Sequence, residues 1–178
     1  MTKRFQRVSI MLVGVLLLTP LLLPGAASTA ELEKKVRHEL VMLPFYGVFD
    51  NFEFRVDGAT VTLLGQVRRP SLKADAERVV RRIPGVSAVN NQIEVLPTSG
   101  FDDRIRLGVL RAVYGNSALF RYNLGALAPI RIIVKNGDVT LEGVVANEMD
   151  RNVANLFANG VFGVFSVTNN LRVESKTA

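Results

Sequence analysis

Few side chains in this sequence could carry out a reaction. Among its 178 residues there is no cysteine, no tryptophan and one histidine, which excludes thiolate nucleophiles, thiolate metal sites and disulfides. His38 lies beside Lys34 and Glu39, away from the apolar stripe of its predicted helix. That position favours a solvated surface histidine over a metal ligand or a general base.

The adjacent carboxylates Asp102 and Asp103 are the nearest approach to a catalytic pair. Neighbouring residues on a helix point about 100° apart, so these acids fit favourable charge at a helix N-terminus better than paired acid–base catalysis. The chain also has no nucleophile elbow, P-loop or dinucleotide-binding glycine motif. The sequence therefore predicts a protein that is not an enzyme and has no cofactor and no metal site.

The elements that organise these residues follow from the hydrophobic periodicity. Apolar residues recur at helical spacing near 31–43 and 71–83, and they alternate along the stretches between and after these helices. Gly65 and Gly143 fit strand positions where another part of the backbone approaches closely. The predicted order is helix Glu31–Leu43, strand Phe52–Val56, turn Asp57–Gly58, strand Thr60–Val67, helix Ser71–Ile83 and strand Val86–Val95.

This pattern occurs twice. Val61–Val67 aligns with Val139–Val145 at an offset of 78 residues, and the offset continues without a gap through Asn91, which aligns with Asn169. Asn136–Gly137 is the expected hairpin turn of the second copy. The fold class is predicted to be α+β, with two tandem α-β-β-α-β repeats. Each repeat is a small mixed sheet with two helices packed on one face, and we call them copy one and copy two.

The first 30 residues have the features of a secretory signal. A basic start precedes an apolar run over Val8–Leu23, and small residues end at Ala30. The run has 16 residues and prolines interrupt its end, whereas a spanning helix needs about 20. We therefore predict cleaved export to the periplasm; the extracellular space and an uncleaved N-terminal anchor are the alternatives. Removing this segment leaves a net charge of +3, too small to predict nucleic-acid binding.

The repeated residues resemble the BON domain, named for bacterial osmotically induced and nodulation proteins. The resemblance rests on Val-Thr-Leu-x-Gly-x-Val, a helix with Ala76 or Ala154, and Gly-Val-x-x-Val followed by an asparagine. It implies a non-catalytic module that associates with phospholipid membranes or other envelope components. The cysteine of lipoprotein members is absent. The predicted divisions are a signal peptide (1–30), a first BON-like domain (31–97), a linker (98–101), a second BON-like domain (102–174) and a tail (175–178).

The second helix of copy one has a strongly basic surface. Glu77 and Asp75 alternate with its cations at ion-pairing distance along the helix, so one interpretation is a solvated face of ion pairs. The other interpretation is a basic platform for anionic headgroups. The residues concerned are Arg68, Arg69, Lys73, Arg78, Arg81 and Arg82.

The first helix of copy two has two apolar arcs. Ile105, Val109, Ala112 and Val113 are expected to face the sheet. The second arc suits an interfacial helix, unless the long segment 115–129 or copy one covers it. The candidate contact residues on this arc and in the segment are Arg104, Leu107, Leu110, Arg111, Tyr114, Phe120, Arg121 and Tyr122.

Two functions remain compatible with the sequence. The first is a non-catalytic bacterial envelope protein that associates peripherally with anionic phospholipid membrane through these surfaces. The second is a protein-interaction or scaffold module of the cell envelope that does not contact lipid. Exposure of Leu107, Leu110 and Tyr114 would favour the first, and their burial between the copies the second. The sequence does not indicate an oligomeric state.

Overall fold

The computed structural model describes residues 29–125 and 127–174, and within them the two predicted repeats are present. The predicted signal peptide and the tail 175–178 fall outside these residues, except for Thr29 and Ala30, which begin the first helix. None of the helices between residues 29 and 174 combines the length and apolar character that a membrane span requires.

Each copy has two helices and four strands. Copy one consists of α1 (Thr29–Val41), β1 (Asn51–Asp57), β2 (Thr60–Val67), α2 (Pro70–Arg81), β3 (Ala88–Asn91) and β4 (Glu94–Val95). Copy two consists of α3 (Gly100–Tyr114), β5 (Ile130–Lys135), β6 (Asp138–Val145), α4 (Glu148–Asn159), β7 (Ser166–Asn169) and β8 (Arg172–Val173), with a 3-10 segment (Ser117–Asn123) between α3 and β5. The fold class is therefore α+β with tandem repeats, as predicted.

The sheets of the two copies have the same mixed topology. A hairpin joins β1 to β2 antiparallel, and the crossover through α2 returns β3 and β4 parallel to β2. Copy two repeats this order with β6 as its central strand. The central strands are equivalent, since Val61 pairs with Val89 and Val139 pairs with Val167.

Each copy has its own core on the helix side of its sheet. Leu63 of β2 and Leu141 of β6 are fully buried, with the apolar faces of the two helices packed over them. Gly65 and Gly143 have φ of 101° and 123°. A Cβ on Gly65 would collide with the carbonyl oxygen of Asn51, the first residue of β1. A Cβ on Gly143 would collide with the carbonyl oxygen of Pro129, which immediately precedes β5. The close backbone approach predicted for both glycines is confirmed.

Two predicted details were wrong. Asp57 is the last residue of β1 and pairs with Thr60, so the first hairpin turn is Gly58–Ala59 and lies one residue later than predicted. The strand predicted over Val86–Val95 is broken after Asn91, which turns its side chain back toward α2. Asn91 Nδ2 donates to the Lys73 carbonyl oxygen (2.9 Å), and Asn91 Oδ1 accepts from the Ile93 amide (3.2 Å).

The same break occurs in copy two. Asn169 Nδ2 donates to the carbonyl oxygen of Arg151 (2.9 Å), and its Oδ1 accepts from the Leu171 amide (3.2 Å). Both asparagines thus satisfy backbone groups that the interrupted strand leaves unpaired, and they fasten the second helix of each copy to its sheet.

The copies contact each other through a short part of copy one, residues 46–50, which we call the bridging segment. Its Val48 carbonyl oxygen accepts a hydrogen bond from the Ile132 amide of β5 (2.9 Å), and Val48 and Phe49 pack against the core of copy two. Arg131 of β5 donates to the Gly47 carbonyl oxygen (2.9 Å). The buried Asp50 carboxylate accepts from the amides of Gly47 and Arg68, which holds the segment in shape.

Ion pairs reinforce this contact. Lys135 of copy two pairs with Glu94 of copy one (2.6 Å), and Asp103 bonds Arg68 of copy one as well as Arg106 on its own helix. Arg106 is buried and donates to the Val134 carbonyl oxygen (2.6 Å). The two copies therefore pack on each other.

Candidate functional site

The structure separates the members of the second apolar arc of α3. Leu107 is exposed, and Leu110 is half-buried against the core of copy two. Tyr114, predicted to lie at the exposed edge of the arc, is 6% exposed, and that part of the prediction was wrong. Its hydroxyl donates to the Ile130 carbonyl oxygen (2.6 Å) and accepts from the Ile130 amide (3.0 Å), because β5 begins beneath this end of α3.

Burial of Tyr114 changes its acidity. Removal of the hydroxyl from water raises the pKa of Tyr114 to about 12, against the lowering effects of its bond to Ile130 and of nearby Arg131. Tyr114 is therefore a neutral, structural hydroxyl that joins α3 to β5, and it is not available to contact a membrane or a partner.

Most of the candidate contact residues in the 3-10 segment also bond to other residues of the protein. The Tyr122 hydroxyl donates to the Asp150 carboxylate and accepts from the Ala146 amide (2.7 Å), and Arg121 forms an ion pair with Asp150. Asp150 is itself buried at the start of α4. These contacts fasten the segment to α4; Phe120 and the paired Arg121 are exposed.

Most of the basic surface of copy one is likewise engaged. Arg78 pairs with Asp75 and Arg81 pairs with Glu77 along α2, which matches the interpretation as a solvated face of ion pairs. The remaining four are Arg68, bonded to Asp103; Arg69, over the ring of Phe45; Lys73, which is half-buried; and Arg82, which lines a groove between α1 and α2. His38 is exposed and lines the same groove.

Three exposed phenylalanines that the sequence analysis missed lie in two adjoining segments of copy two, and we call Phe101, Phe162 and Phe165 the aromatic tip. The turn from α4 to β7 carries Phe162, which is 98% exposed, and Phe165, which is 73% exposed. The rings of Phe165 and Phe101 lie 5.9 Å apart, and Gly163 packs against the Phe101 ring. The tip therefore lies where the start of α3 meets the turn after α4.

Cations lie next to the aromatic tip on α3. The Arg104 guanidinium stands 5.9 Å from the ring centroid of Phe101, and Leu107 and Arg111 follow at helical spacing on the same side. Neither arginine forms an ion pair within residues 29–125 and 127–174. Arg104, Leu107 and Arg111 were predicted as contact residues, and the structure places them along one exposed row beside the tip.

Copy one has no large apolar residue at the corresponding places. At the offset of 78, Phe162 and Phe165 correspond to Pro84 and Ser87. When the buried rows of α1 and α3 are aligned, Leu107 corresponds to Lys34. The repeat comparison thus contained a signal for the tip, since these apolar residues are not needed for the shared core.

The described part of the chain brings together no group of three or more His, Asp or Glu side chains that could hold a metal ion. The exposed surface of copy two instead offers large apolar side chains beside unpaired guanidinium groups, an arrangement that binds other surfaces through burial and charge.

Comparisons with known proteins identify the repeated unit. The family model for the BON domain matches residues 28–97 and 116–175. A search of curated proteins finds no match. Among solved structures, the C-terminal domain of CdsD, described as the structural protein of the type III secretion system of Chlamydia trachomatis, is 14% identical. That match covers 81% of this chain and 98% of that chain with a TM-score of 0.29.

A second CdsD structure is 16% identical, covers 82% of this chain and 94% of that chain, and has the same TM-score of 0.29. TM-scores of 0.29 support no inference about the domain arrangement or the function of this chain. The first matched range spans copy one, and the second begins after α3 and spans the rest of copy two. The two ranges together cover most of the chain, and the chain therefore belongs to the BON domain family, with two domains in tandem.

Proposed function

We propose that this protein is a non-catalytic envelope protein that associates peripherally with anionic phospholipid membrane through copy two. The observation that carries the proposal is the aromatic tip, whose Phe162 has almost its whole surface in water. An exposed cluster of large apolar residues is costly unless a partner surface covers it. The proposed contact consists of this tip and the neighbouring row Arg104, Leu107 and Arg111.

The energies of these groups suit reversible binding. Transfer of one phenylalanine side chain out of water contributes about 1.5–3 kcal/mol, and each arginine near an anionic surface adds about 1 kcal/mol. Two or three such side chains give weak association without anchoring, in the manner of an amphipathic surface lying in the headgroup region. The charge contribution is screened over about 8–10 Å at ordinary ionic strength, so binding should weaken in salt.

Export to the periplasm belongs to the same proposal. Its support is the basic and apolar composition of residues 1–30, together with membership in the BON family. The membrane met by copy two would then be the periplasmic side of an envelope membrane.

Co-sedimentation with vesicles tests the proposal. A chain that begins at Thr29, so that the apolar residues 8–23 do not contribute, should pellet with vesicles containing anionic lipid, less at high salt and hardly with neutral lipid. Phe162→Ser combined with Phe165→Ser should abolish most of this binding, and Arg104→Glu with Arg111→Glu should weaken it. Phe45→Ser is the matched control, since Phe45 of copy one is 71% exposed and also has an arginine over its ring.

The results separate the two candidate functions. Full binding by the Phe162 and Phe165 double variant would show that the tip is not the contact. If the wild-type chain pellets with neither type of vesicle, membrane association is wrong, and a protein partner of the envelope becomes the better explanation for the tip.

A further inference from the structure

A cleft separates the two copies, and residues of both line it. One lobe, of about 330 Å³, lies between α1 and β1 of copy one and β5, β6 and β8 of copy two. All of its charged lining residues are arginines, namely Arg37, Arg131 and Arg172, and most of the others are apolar. We call it the arginine lobe. Its volume falls in the range of sites for small organic molecules.

An aromatic strip with a cation at each end forms one wall of the arginine lobe. The rings of Tyr46 and Phe52 are stacked with centroids 4.8 Å apart, and Phe54 lies two residues further on the same face of β1. The Arg37 guanidinium lies 5.4 Å from the Phe54 centroid, and that of Arg131 lies 4.4 Å from the Tyr46 centroid. The two end rings, Tyr46 and Phe54, thus each hold a guanidinium in place at the border of an apolar surface.

Two of these arginines retain their hydrogen-bonding capacity. The guanidinium groups of Arg37 and Arg172 form no hydrogen bond or ion pair with any residue that the structure describes, whereas that of Arg131 donates to the bridging segment. A guanidinium presents a planar fork of donors that matches a carboxylate or phosphate. The lobe therefore combines free anion-binding groups with an apolar wall.

The neighbouring lobe of the cleft shares Arg37 and Arg172 with the arginine lobe and adds two carboxylates. It measures about 490 Å³ and is lined by Glu53 and Glu142. Burial raises the pKa of Glu142; a bond from Asn170 opposes this, the Glu53 carboxylate adds to it, and Arg172 lowers the pKa. The two carboxylates repel an anion, so an anionic ligand would meet Arg37 and Arg172 from the arginine lobe, which has no carboxylate in its lining.

We propose that the arginine lobe binds a small organic anion with an apolar body, such as a carboxylate or phosphate monoester on a short hydrocarbon chain. Arg37 and Arg172 hold the charged group, and the apolar part lies against Phe52, Phe54 and Val144. Because Arg37 belongs to copy one and Arg172 to copy two, the ligand bridges the copies. This site is separate from the proposed membrane contact on α3 and does not depend on it.

Isothermal titration with octanoate, below its micelle concentration, tests this site. The full chain is used, in which residues 1–28 contribute equally to every variant. Octanoate and octyl phosphate should bind, while octanol, octylammonium and inorganic phosphate should each bind at least about tenfold more weakly, a difference of about 1.4 kcal/mol. Inorganic phosphate tests whether the charge alone is enough for binding or whether the hydrocarbon chain is needed as well.

Variants in the arginine lobe test the site, and a variant on α3 is the control. Arg37→Gln with Arg172→Gln should weaken octanoate binding by about tenfold or more, because charge-assisted bonds are lost. Val144→Glu, at a half-exposed position of the same lobe, should weaken it without removing an arginine. Arg104→Gln with Arg111→Gln should leave octanoate affinity unchanged, even where it lowers vesicle binding.

Four results would overturn the proposal. They are the absence of octanoate binding by the wild-type chain, octanol or inorganic phosphate binding as tightly as octanoate, unchanged affinity in the folded Arg37 and Arg172 double variant, and unchanged affinity in folded Val144→Glu. Circular dichroism and the melting temperature establish that each variant is folded.

Discussion

Replacement of Asp102 by alanine should destabilise copy two far more than the loss of an ordinary helix-end charge. Asp102 is fully buried in the first turn of α3, where its own amide donates to the Ser99 hydroxyl. Its carboxylate accepts from the amides of Asn136 (3.0 Å) and Gly137 (2.9 Å), the two residues of the β5–β6 turn. Both turn residues have positive φ, 55° and 86°, and this conformation turns their amides toward the carboxylate.

The magnitude follows from the two bonds. A hydrogen bond to a charged group contributes about 1.5–3 kcal/mol, and a buried donor left without a partner costs a similar amount. Since water can hydrate part of the emptied space, we expect Asp102→Ala to cost about 2–4 kcal/mol in the free energy of unfolding. For a unit of this size, that loss lowers the melting temperature by roughly 10–20 °C.

Thermal unfolding by circular dichroism, with amide hydrogen exchange at Asn136 and Gly137, measures this effect. Glu148→Ala is the control, because Glu148 is also an acidic residue in a first helical turn but its side chain is 65% exposed and, among the described residues, bonds only to Arg151. Its loss should cost about 0.3–1 kcal/mol. If Asp102→Ala costs no more than Glu148→Ala and leaves exchange in the turn unchanged, Asp102 supplies helix-end charge alone and the reasoning is refuted.

Four further substitutions test the contacts that hold the fold together. Asn91→Ala and Asn169→Ala should each cost about 1–3 kcal/mol in urea unfolding, since each asparagine bonds two backbone groups of its own copy; a loss in one copy alone would contradict their equivalence. Gly143→Ala should cost at least about 2 kcal/mol, because its positive φ and the adjacent backbone oxygen exclude a Cβ, and a thermal scan showing no change would contradict this. Burial raises the pKa of Tyr114 to about 12, so its contribution is complete below about pH 10 and is lost between about pH 10 and 12, where the unfolded chain ionises first. Tyr114→Phe should cost about 1–2 kcal/mol at neutral pH and remove this alkaline component, and alkaline unfolding curves identical to wild type would contradict it.

The repeat and its periodicity predicted what the two copies share. Val61–Val67 and Val139–Val145 are the central strands, and the inward residues of α3 that repeat at i, i+4 and i+8 are buried as expected. These features could be predicted because a core on one face of the sheet requires apolar residues at regular spacing in every strand and helix that borders it.

What the periodicity could not show is which neighbour lies over a given helix face. A helical wheel shows on which side of α3 Tyr114 lies. Whether Tyr114 is buried there depends on the position of Ile130, which follows the 3-10 segment. The same limit applies to Asp102, whose partners are 34 and 35 residues away in the chain. Phe162 and Phe165 lie in and beside a turn, where hydrophobic periodicity has no meaning, and comparison with Pro84 and Ser87 of copy one was the available signal.

The bridging segment has a consequence for the order in which the protein is made. Synthesis from the ribosome completes residues 46–50 well before β5, so the bridging segment, whose Val48 carbonyl oxygen bonds the Ile132 amide at the outer edge of β5, already exists when that strand emerges. A strand edge without such a cover is a template for pairing with other chains. Copy one therefore assists the folding of copy two, as an intramolecular chaperone would. Copy two expressed alone should aggregate unless residues 46–50 are supplied with it.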